Sequence, residues 1–167
     1  LTNEIANSVK TIHAIDLSTR MIDIAKRKAD KLKINNIDFK QATVFDVIYK
    51  SESFDVILAF NTLHCIEDVE KTISRIYELL KSKGLFISVT PSSGSEKKSF
   101  KEFFKILRHI LFILSKIGFF PIPYINSFKT SELEDLVVKG GFQITNTENL
   151  HTKEGHYYIV SKKVVGT

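Results

Sequence analysis

Apolar and polar residues form alternating blocks along the chain, and these blocks predict strands and helices in turn. Residues 11–16, 54–60 and 84–91 are short apolar runs that predict buried strands, and the nearly continuous run at 54–60 predicts a central one. Residues 37–43 alternate apolar with polar side chains, which is typical of a strand nearer the sheet edge. Strands separated by helical segments are typical of a doubly wound α/β sheet.

Apolar residues at helical spacing predict three helices, over residues 19–31, 67–81 and 127–139, and a longer, more apolar helix over residues 100–120. Ser18 is the expected N-cap of the first helix, and Lys83-Gly84 is expected to end the second. Thr130 or Ser131 is expected to cap the third. The predicted apolar face of the first helix consists of Met21, Ile22, Ile24, Ala25 and Ala29.

The composition indicates a globular protein of one domain. The chain has 167 residues, of which 43% are hydrophobic and 26% charged, enough apolar residues for a core. A single cysteine, Cys65, excludes an internal disulfide framework, and its neighbour His64 has no second ligand pair nearby, so we expect no metal site. No secretory signal is visible at Leu1, and a cytoplasmic location is the expectation.

The formal net charge of +5 is modest for a protein of this size. Lysine and arginine residues are spread over predicted helices, as at residues 26–33, and are not interleaved with exposed aromatic residues. A charge run of this kind is usually a solvated helix face, which argues against a nucleic-acid partner.

Several segments together resemble the small-molecule branch of the S-adenosylmethionine-dependent methyltransferases, the methyltransferase type 11-like proteins with a Rossmann-like fold. These segments are IDLSTRMIDIAKRKA, IDFKQATVFD, SFDVILAFNTLHCIEDVEKTISRIYELLKSKGLFISVTP, KGGFQI and YYIVSKK. The third is the most specific. The resemblance implies a mostly parallel sheet with helices on both faces, and an antiparallel C-terminal edge hairpin formed by residues 142–146 and 156–162.

Members of the family begin with an apolar strand and a glycine-rich turn, for which this chain has no counterpart. Its first residues, LTNEIANSVKT, match the helix that follows that turn. The resemblance therefore implies one methyltransferase-like domain over residues 1–167 that lacks its first strand. That strand would lie between residues 11–16 and 54–60, and we expect upstream residues or another chain to pair with them there.

The resemblance implies S-adenosylmethionine as cofactor and S-adenosylhomocysteine as product. Asp16 ends an apolar strand, where an acid can accept hydrogen bonds from ribose hydroxyls. Its alternative role is to complement the dipole of the following helix. Leu17 and Met21 would flank the adenine, although Met21 is equally suited to the core.

Further candidates follow the next strands of the sequence. Thr43 stands where similar proteins place an acid for the adenine amino group, Val44 could offer its backbone amide, and Asp46 is a displaced acid. Asn61 would present groups to the cofactor and acceptor, or serve as a turn residue. His64 is the candidate catalytic base, or it packs on the following helix, the role that the sequence favours.

The expected function is methyl transfer to a small, hydrophobic acceptor, because the segment 100–120 is unusually apolar. In the family, residues 92–128 would be a lid or substrate-recognition insertion. The alternatives are packing within the domain, a homodimer through residues 100–120, or contact with a membrane surface, since charged residues interrupt the segment too often for a membrane span. The second hypothesis is a catalytically inactive methyltransferase-like interaction or regulatory module.

Overall fold

The computed structural model describes residues 2–46, 49–92, 126, 128–150 and 155–164. The chain forms two compact units, Leu1–Tyr49 and Lys50–Thr167, called here the N-terminal and the C-terminal unit. The apolar segment 100–120, and with it most of the expected insertion, lies outside the described residues. Among the described helices, none combines the length and hydropathy needed to cross a bilayer.

The N-terminal unit is a parallel pair of strands with one long helix packed on it. Its elements are α1 (Thr2–Ile5), a 3-10 turn (Ala6–Ser8), β1 (Ile12–Asp16), α2 (Thr19–Lys31) and β2 (Ile37–Gln41). Strand β1 pairs with β2 from Ile12, opposite Ile37, to Asp16, opposite Gln41. Asn36 donates from Nδ2 to the carbonyls of Ala6 (2.7 Å) and Val9 (3.0 Å), which ties the first turn to the strand pair.

Helix α2 has the predicted bounds, and its first turn has the predicted cap. The Ser18 hydroxyl accepts a hydrogen bond from the Met21 amide at 3.3 Å. The apolar face is narrower than expected, since Ile22 and Ala29 are buried whereas Met21 is 52% and Ile24 42% exposed. Only a narrow strip of the helix surface faces the two strands. Met21 and Ile24 lie at the sides of this strip and stay exposed.

The C-terminal unit is a four-stranded sheet with two helices. Its elements are β3 (Phe54–Phe60), a 3-10 helix (Leu63–Cys65), α3 (Val69–Leu79), β4 (Leu80–Pro91), α4 (Thr130–Lys139), β5 (Phe142–Leu150) and β6 (His156–Lys163). The strand order is β3-β4-β6-β5, with β3 parallel to β4 and β6 antiparallel to both of its neighbours. The most deeply buried apolar side chains of this unit include Ile73, Phe86, Leu133, Val137 and Ile159.

The expected α/β fold class, with parallel pairing and an antiparallel C-terminal hairpin, is confirmed. Among the described strands, β1 and β3 belong to different sheets. Strand β3 was expected to be central, with a further strand between it and β1. Among the described strands it lies at one end of its sheet, with Val56 45% and Leu58 37% exposed. An apolar run of this kind indicates a strand that other elements cover on both faces of the sheet. It does not indicate which strands lie beside it.

The helices of the C-terminal unit start and stop differently from the prediction. Helix α3 begins at Val69 and not at the predicted residue 67. Asp68 is its N-cap, and the Asp68 carboxylate accepts from the Lys71 amide at 2.9 Å. Its end also comes earlier, since Leu80 already pairs with Phe54 in the sheet. The turn predicted at Lys83-Gly84 lies within β4, where the pairing with β3 changes register and Lys83 has a φ of 63°.

The prediction that Thr130 or Ser131 caps α4 is wrong. Lys129 occupies the N-cap position, and its backbone amide donates to the Glu132 carboxylate at 2.8 Å. An acid at the third helical position can satisfy this amide from within the helix, so the helix start does not need a hydroxyl at the cap.

Candidate functional site

The turn after β1 holds Asp16 at the carboxyl end of the strand. Asp16 is exposed, and its Oδ1 accepts a hydrogen bond from the Ser18 amide at 2.7 Å. This is an Asx-type turn, in which a side chain bonds the backbone two residues further on. A carboxylate has about four acceptor positions, so the carboxylate can still accept hydrogen bonds from the hydroxyls of a ligand.

Two apolar side chains accompany this acid. Leu17 is 71% and Met21 52% exposed, so neither is a core residue in the structure. An acceptor of hydrogen bonds beside exposed apolar surface suits a nucleoside, which presents sugar hydroxyls together with the faces of a base. The residues therefore fit the adenosine part of the expected cofactor, and their role as ligands stays a prediction.

Gln41, the last residue of β2, contacts this turn and was not predicted from the sequence. Its Nε2 donates to the Leu17 carbonyl at 3.1 Å, and its Oε1 accepts from the Thr19 hydroxyl at 2.9 Å. The only sequence signal was a polar side chain near the end of the strand predicted over residues 37–43. The contact became visible only with the register, which sets Gln41 opposite Asp16.

The turn after β2 contains the predicted adenine-binding residues. The Thr43 hydroxyl accepts from the Phe45 amide at 3.2 Å, and the Thr43 carbonyl accepts from the Asp46 amide at 3.2 Å. Thr43 is exposed and Val44 is partly buried. One acceptor position of the Thr43 hydroxyl is thus used by its own turn, which leaves one for a ligand.

In the C-terminal unit, Asn61 follows β3 directly. Its φ is 50°, in the left-handed region that asparagine tolerates better than most residues, and its amide donates to the Val89 carbonyl at 2.8 Å. Asn61 therefore has the backbone of a turn residue, while its side chain is exposed beyond the carboxyl end of the strand.

His64 lies in the 3-10 helix that follows. Its carbonyl accepts from the Asn126 amide at 2.6 Å, and the Asn126 side chain donates to the Ile66 carbonyl at 2.7 Å. The His64 Nδ1 atom is buried and has no hydrogen-bond partner among the described residues. Burial lowers the pKa of His64, and repulsion from His156 lowers this pKa further, so the imidazole is neutral at neutral pH.

The neighbouring thiol and the acids offer no metal site in the described part of the chain. Burial raises the pKa of the Cys65 thiol, which favours its protonated form. Over the described ranges, no three His, Cys, Asp or Glu side chains are grouped so that they could hold a metal ion.

The predicted site residues thus fall into two sets, one in each unit. The N-terminal unit brings Asp16, Leu17 and Met21 together on one turn, and Thr43 and Val44 follow the end of the neighbouring strand. Asn61 and His64 follow β3 in the C-terminal unit. Because parallel strands end at the same edge of their sheet, the first set lies at the edge where open α/β folds bind their ligands.

Residues 1–111, more than half of the chain, match a protein family described as a methyltransferase domain. The chain belongs to this methyltransferase family. Over 117 residues, the chain is 30% identical to phosphoethanolamine N-methyltransferase 2 of Caenorhabditis elegans, covering 65% of the chain and 27% of that protein. It is 23% identical over 112 residues to demethylmenaquinone methyltransferase of Oceanobacillus iheyensis, covering 65% of the chain and 47% of that protein.

A solved structure shows the same fold. A SAM-dependent methyltransferase from Methanosarcina mazei superimposes with a TM-score of 0.73 at 18% identity, covering 99% of this chain and 88% of that structure. The resemblance inferred from the sequence is confirmed by the family match. The chain spans less than half the length of the two curated relatives.

Proposed function

We propose that the chain binds S-adenosylmethionine and transfers its methyl group to a small, hydrophobic acceptor. Membership of the methyltransferase family supports the reaction class. The observation that carries the cofactor proposal is the turn after β1, where an exposed, hydrogen-bonded Asp16 stands beside exposed Leu17 and Met21.

In this proposal the N-terminal unit recognises the adenosine. Asp16 accepts hydrogen bonds from the ribose hydroxyls, and Leu17 and Met21 contact the adenine. Thr43 and Val44 bind the edge of the base, Thr43 more weakly than a carboxylate would because its hydroxyl carries no charge. When bound, the cofactor supplies an electrophilic methyl group, so the protein mainly has to hold two substrates in line.

The proposed acceptor chemistry belongs to the C-terminal unit. His64 takes a proton from an acceptor hydroxyl or amine, for which a neutral imidazole is the competent form. The lowered pKa of His64 keeps it in that form at neutral pH. Asn61 contributes polar groups to the cofactor or acceptor from its exposed turn.

The acceptor is proposed to be apolar because of the composition of residues 100–120. The two curated relatives differ here, since one is named for phosphoethanolamine and the other for demethylmenaquinone. An assay therefore has to offer both a polar amine and a lipid-soluble quinol. A homodimer or membrane-surface contact through residues 100–120, and a cytoplasmic location, stay predictions.

The first experiment is a calorimetric titration of S-adenosylhomocysteine into this chain, with NAD as the control ligand. We expect selective binding of S-adenosylhomocysteine. Asp16→Ala should weaken it by more than about tenfold, because hydrogen bonds to a charged group are the stronger kind. Asp23→Ala is the matched control, since it removes an exposed acid from α2 and should leave the affinity unchanged.

A folded chain that does not bind S-adenosylhomocysteine would contradict the cofactor proposal and leave the inactive module as the remaining hypothesis. Thr43 is the residue that favours that second candidate, because its hydroxyl stands in place of an acid. If binding is found, transfer of a labelled methyl group to a quinol but not to phosphoethanolamine would support the hydrophobic acceptor, and the reverse would contradict it.

A further inference from the structure

Gln41 connects the end of β2 to the turn that carries Asp16. Its side-chain amide reaches both sides of Ser18, because Nε2 donates to the Leu17 carbonyl at 3.1 Å and Oε1 accepts from the Thr19 hydroxyl at 2.9 Å. Ser18 is itself the residue whose amide donates to the Asp16 carboxylate at 2.7 Å.

These contacts form one continuous set of hydrogen bonds from strand to helix. Gln41 binds the Leu17 carbonyl before Ser18 and the Thr19 side-chain hydroxyl after it. The Ser18 amide donates to the Asp16 carboxylate, and the Ser18 hydroxyl caps α2. The turn is exposed, so water competes for each of these groups and the backbone has little packing to fix it. A side chain that donates and accepts at fixed spacing restricts the turn more than two separate side chains would.

We propose that Gln41 is a positioning residue for cofactor binding, which fixes the turn after β1 so that Asp16 and Leu17 are presented to the ribose and adenine. The inference rests on the proposed function. Gln41 does not need to touch the ligand, since it acts through the Leu17 carbonyl and the Thr19 hydroxyl. We expect its effect on the stability of the fold to be small, because the side chain is exposed.

The test uses substitutions that remove the two hydrogen bonds together or singly. Gln41→Met keeps the length of the side chain and loses both bonds. Gln41→Glu keeps the acceptor for Thr19 but loses the donor to Leu17, and Thr19→Val removes the hydroxyl alone. Gln143→Met is the matched control, because it makes the same change at an exposed position of β5 in the C-terminal unit.

Two readouts separate positioning from a general loss of structure. In the ligand-free protein, the heteronuclear NOE of the Leu17 and Ser18 amides reports the order of the turn on the picosecond to nanosecond scale. Calorimetry then reports the affinity for S-adenosylhomocysteine. We expect Gln41→Met to lower the NOE of both amides, to weaken binding by about tenfold, and to leave the thermal unfolding midpoint nearly unchanged.

Thr19→Val should weaken binding less than Gln41→Met does. Gln41→Glu should weaken binding at least as much as Gln41→Met does. If the native chain and Gln41→Met bind S-adenosylhomocysteine equally tightly, the role of Gln41 is overturned and the proposed function stands. A native chain and a Gln143→Met control that both fail to bind would overturn the proposed function, and the cofactor role of Gln41 with it. An unchanged NOE in Gln41→Met would overturn the positioning step directly.

Discussion

The charge state of His64 is set by its immediate surroundings. Its imidazole is partly buried in the 3-10 helix after β3, and water cannot stabilise its charged form as well as in an unfolded chain. His156, at the start of β6, adds repulsion when both rings are charged. Both effects act in the same direction, toward a pKa below the ordinary value of 6.5.

We predict that His64 titrates below 6.5 and that His156→Gln raises its pKa by removing the repulsive partner. Burial is the larger cause, so the pKa should stay below the ordinary value in this variant as well. The ring carbon resonances of His64, followed by NMR across the pH range, measure both values. A His64 that titrates above 6.5 in the native chain would contradict the prediction.

The same shift makes stability depend on pH. Since the pKa of His64 is lower in the folded than in the unfolded chain, the unfolded chain binds more protons as the pH falls below 6.5. The free energy of unfolding should therefore decrease in that range, down to the folded pKa. His64→Gln removes this contribution, and the difference between the two urea-unfolding series isolates it from the carboxylates.

Among the helices and strands, local signals were predictable and contacts between distant segments were not. Ser18 caps α2 as predicted because the cap and the amide it binds are three residues apart. The start of α4 was misassigned because two hydroxyl residues suggested the cap, whereas Glu132 satisfies the Lys129 amide from inside the helix. The end of α3 depends on Leu80 pairing with Phe54, which no local pattern shows.

The close approach of α3 and α4 is such a distant contact, and Gly140 allows it. A Cβ added to Gly140 would lie 2.4 Å from the Cγ2 atom of Ile73, whose side chain is fully buried. We predict that Gly140→Ala destabilises the protein by about 1–3 kcal/mol, since the clash meets a stiff β-branched side chain in a packed core. Urea unfolding followed by circular dichroism measures the change.

Asp135→Ala is the control for this substitution. Asp135 is an exposed residue within α4, where alanine has the better helix propensity, so this variant should be as stable as the native chain or slightly more stable. A Gly140→Ala variant as stable as Asp135→Ala would mean that α3 and α4 can separate without cost.

For the whole molecule, the sequence predicted which segments form the strands of the two described sheets. It also predicts a ligand site after β1. Asp16 could be proposed as a ligand residue because a strand end and a helix start are both visible around it. Gln41 could not, because its contact with Leu17 depends on the register of two strands separated by a helix. Periodicity identifies the faces of a strand, but it does not identify which residue of a parallel neighbour lies opposite.

The two units differ in how well their strands are supported. In the C-terminal unit, β4 and β6 each have paired strands on both edges, and their buried side chains include Phe86 and Ile159. In the N-terminal unit, the described sheet has two strands, and one long helix packs on it. The buried residues of that helix are Ile22 and Ala29. A two-stranded sheet is marginally stable without further packing.

We predict that the amides of β1 and β2 exchange with deuterium at least about tenfold faster than those of β4 and β6 at neutral pH, because exchange follows the free energy of local opening. Mass spectrometry of peptic fragments measures both pairs in one sample, so that β4 and β6 serve as the internal standard. Equal protection of the two pairs would mean that both units open only in a common global unfolding. If S-adenosylhomocysteine binds the turn after β1, its addition should slow exchange in β1 and β2 and leave β5 unaffected, because a ligand stabilises the unit that binds it.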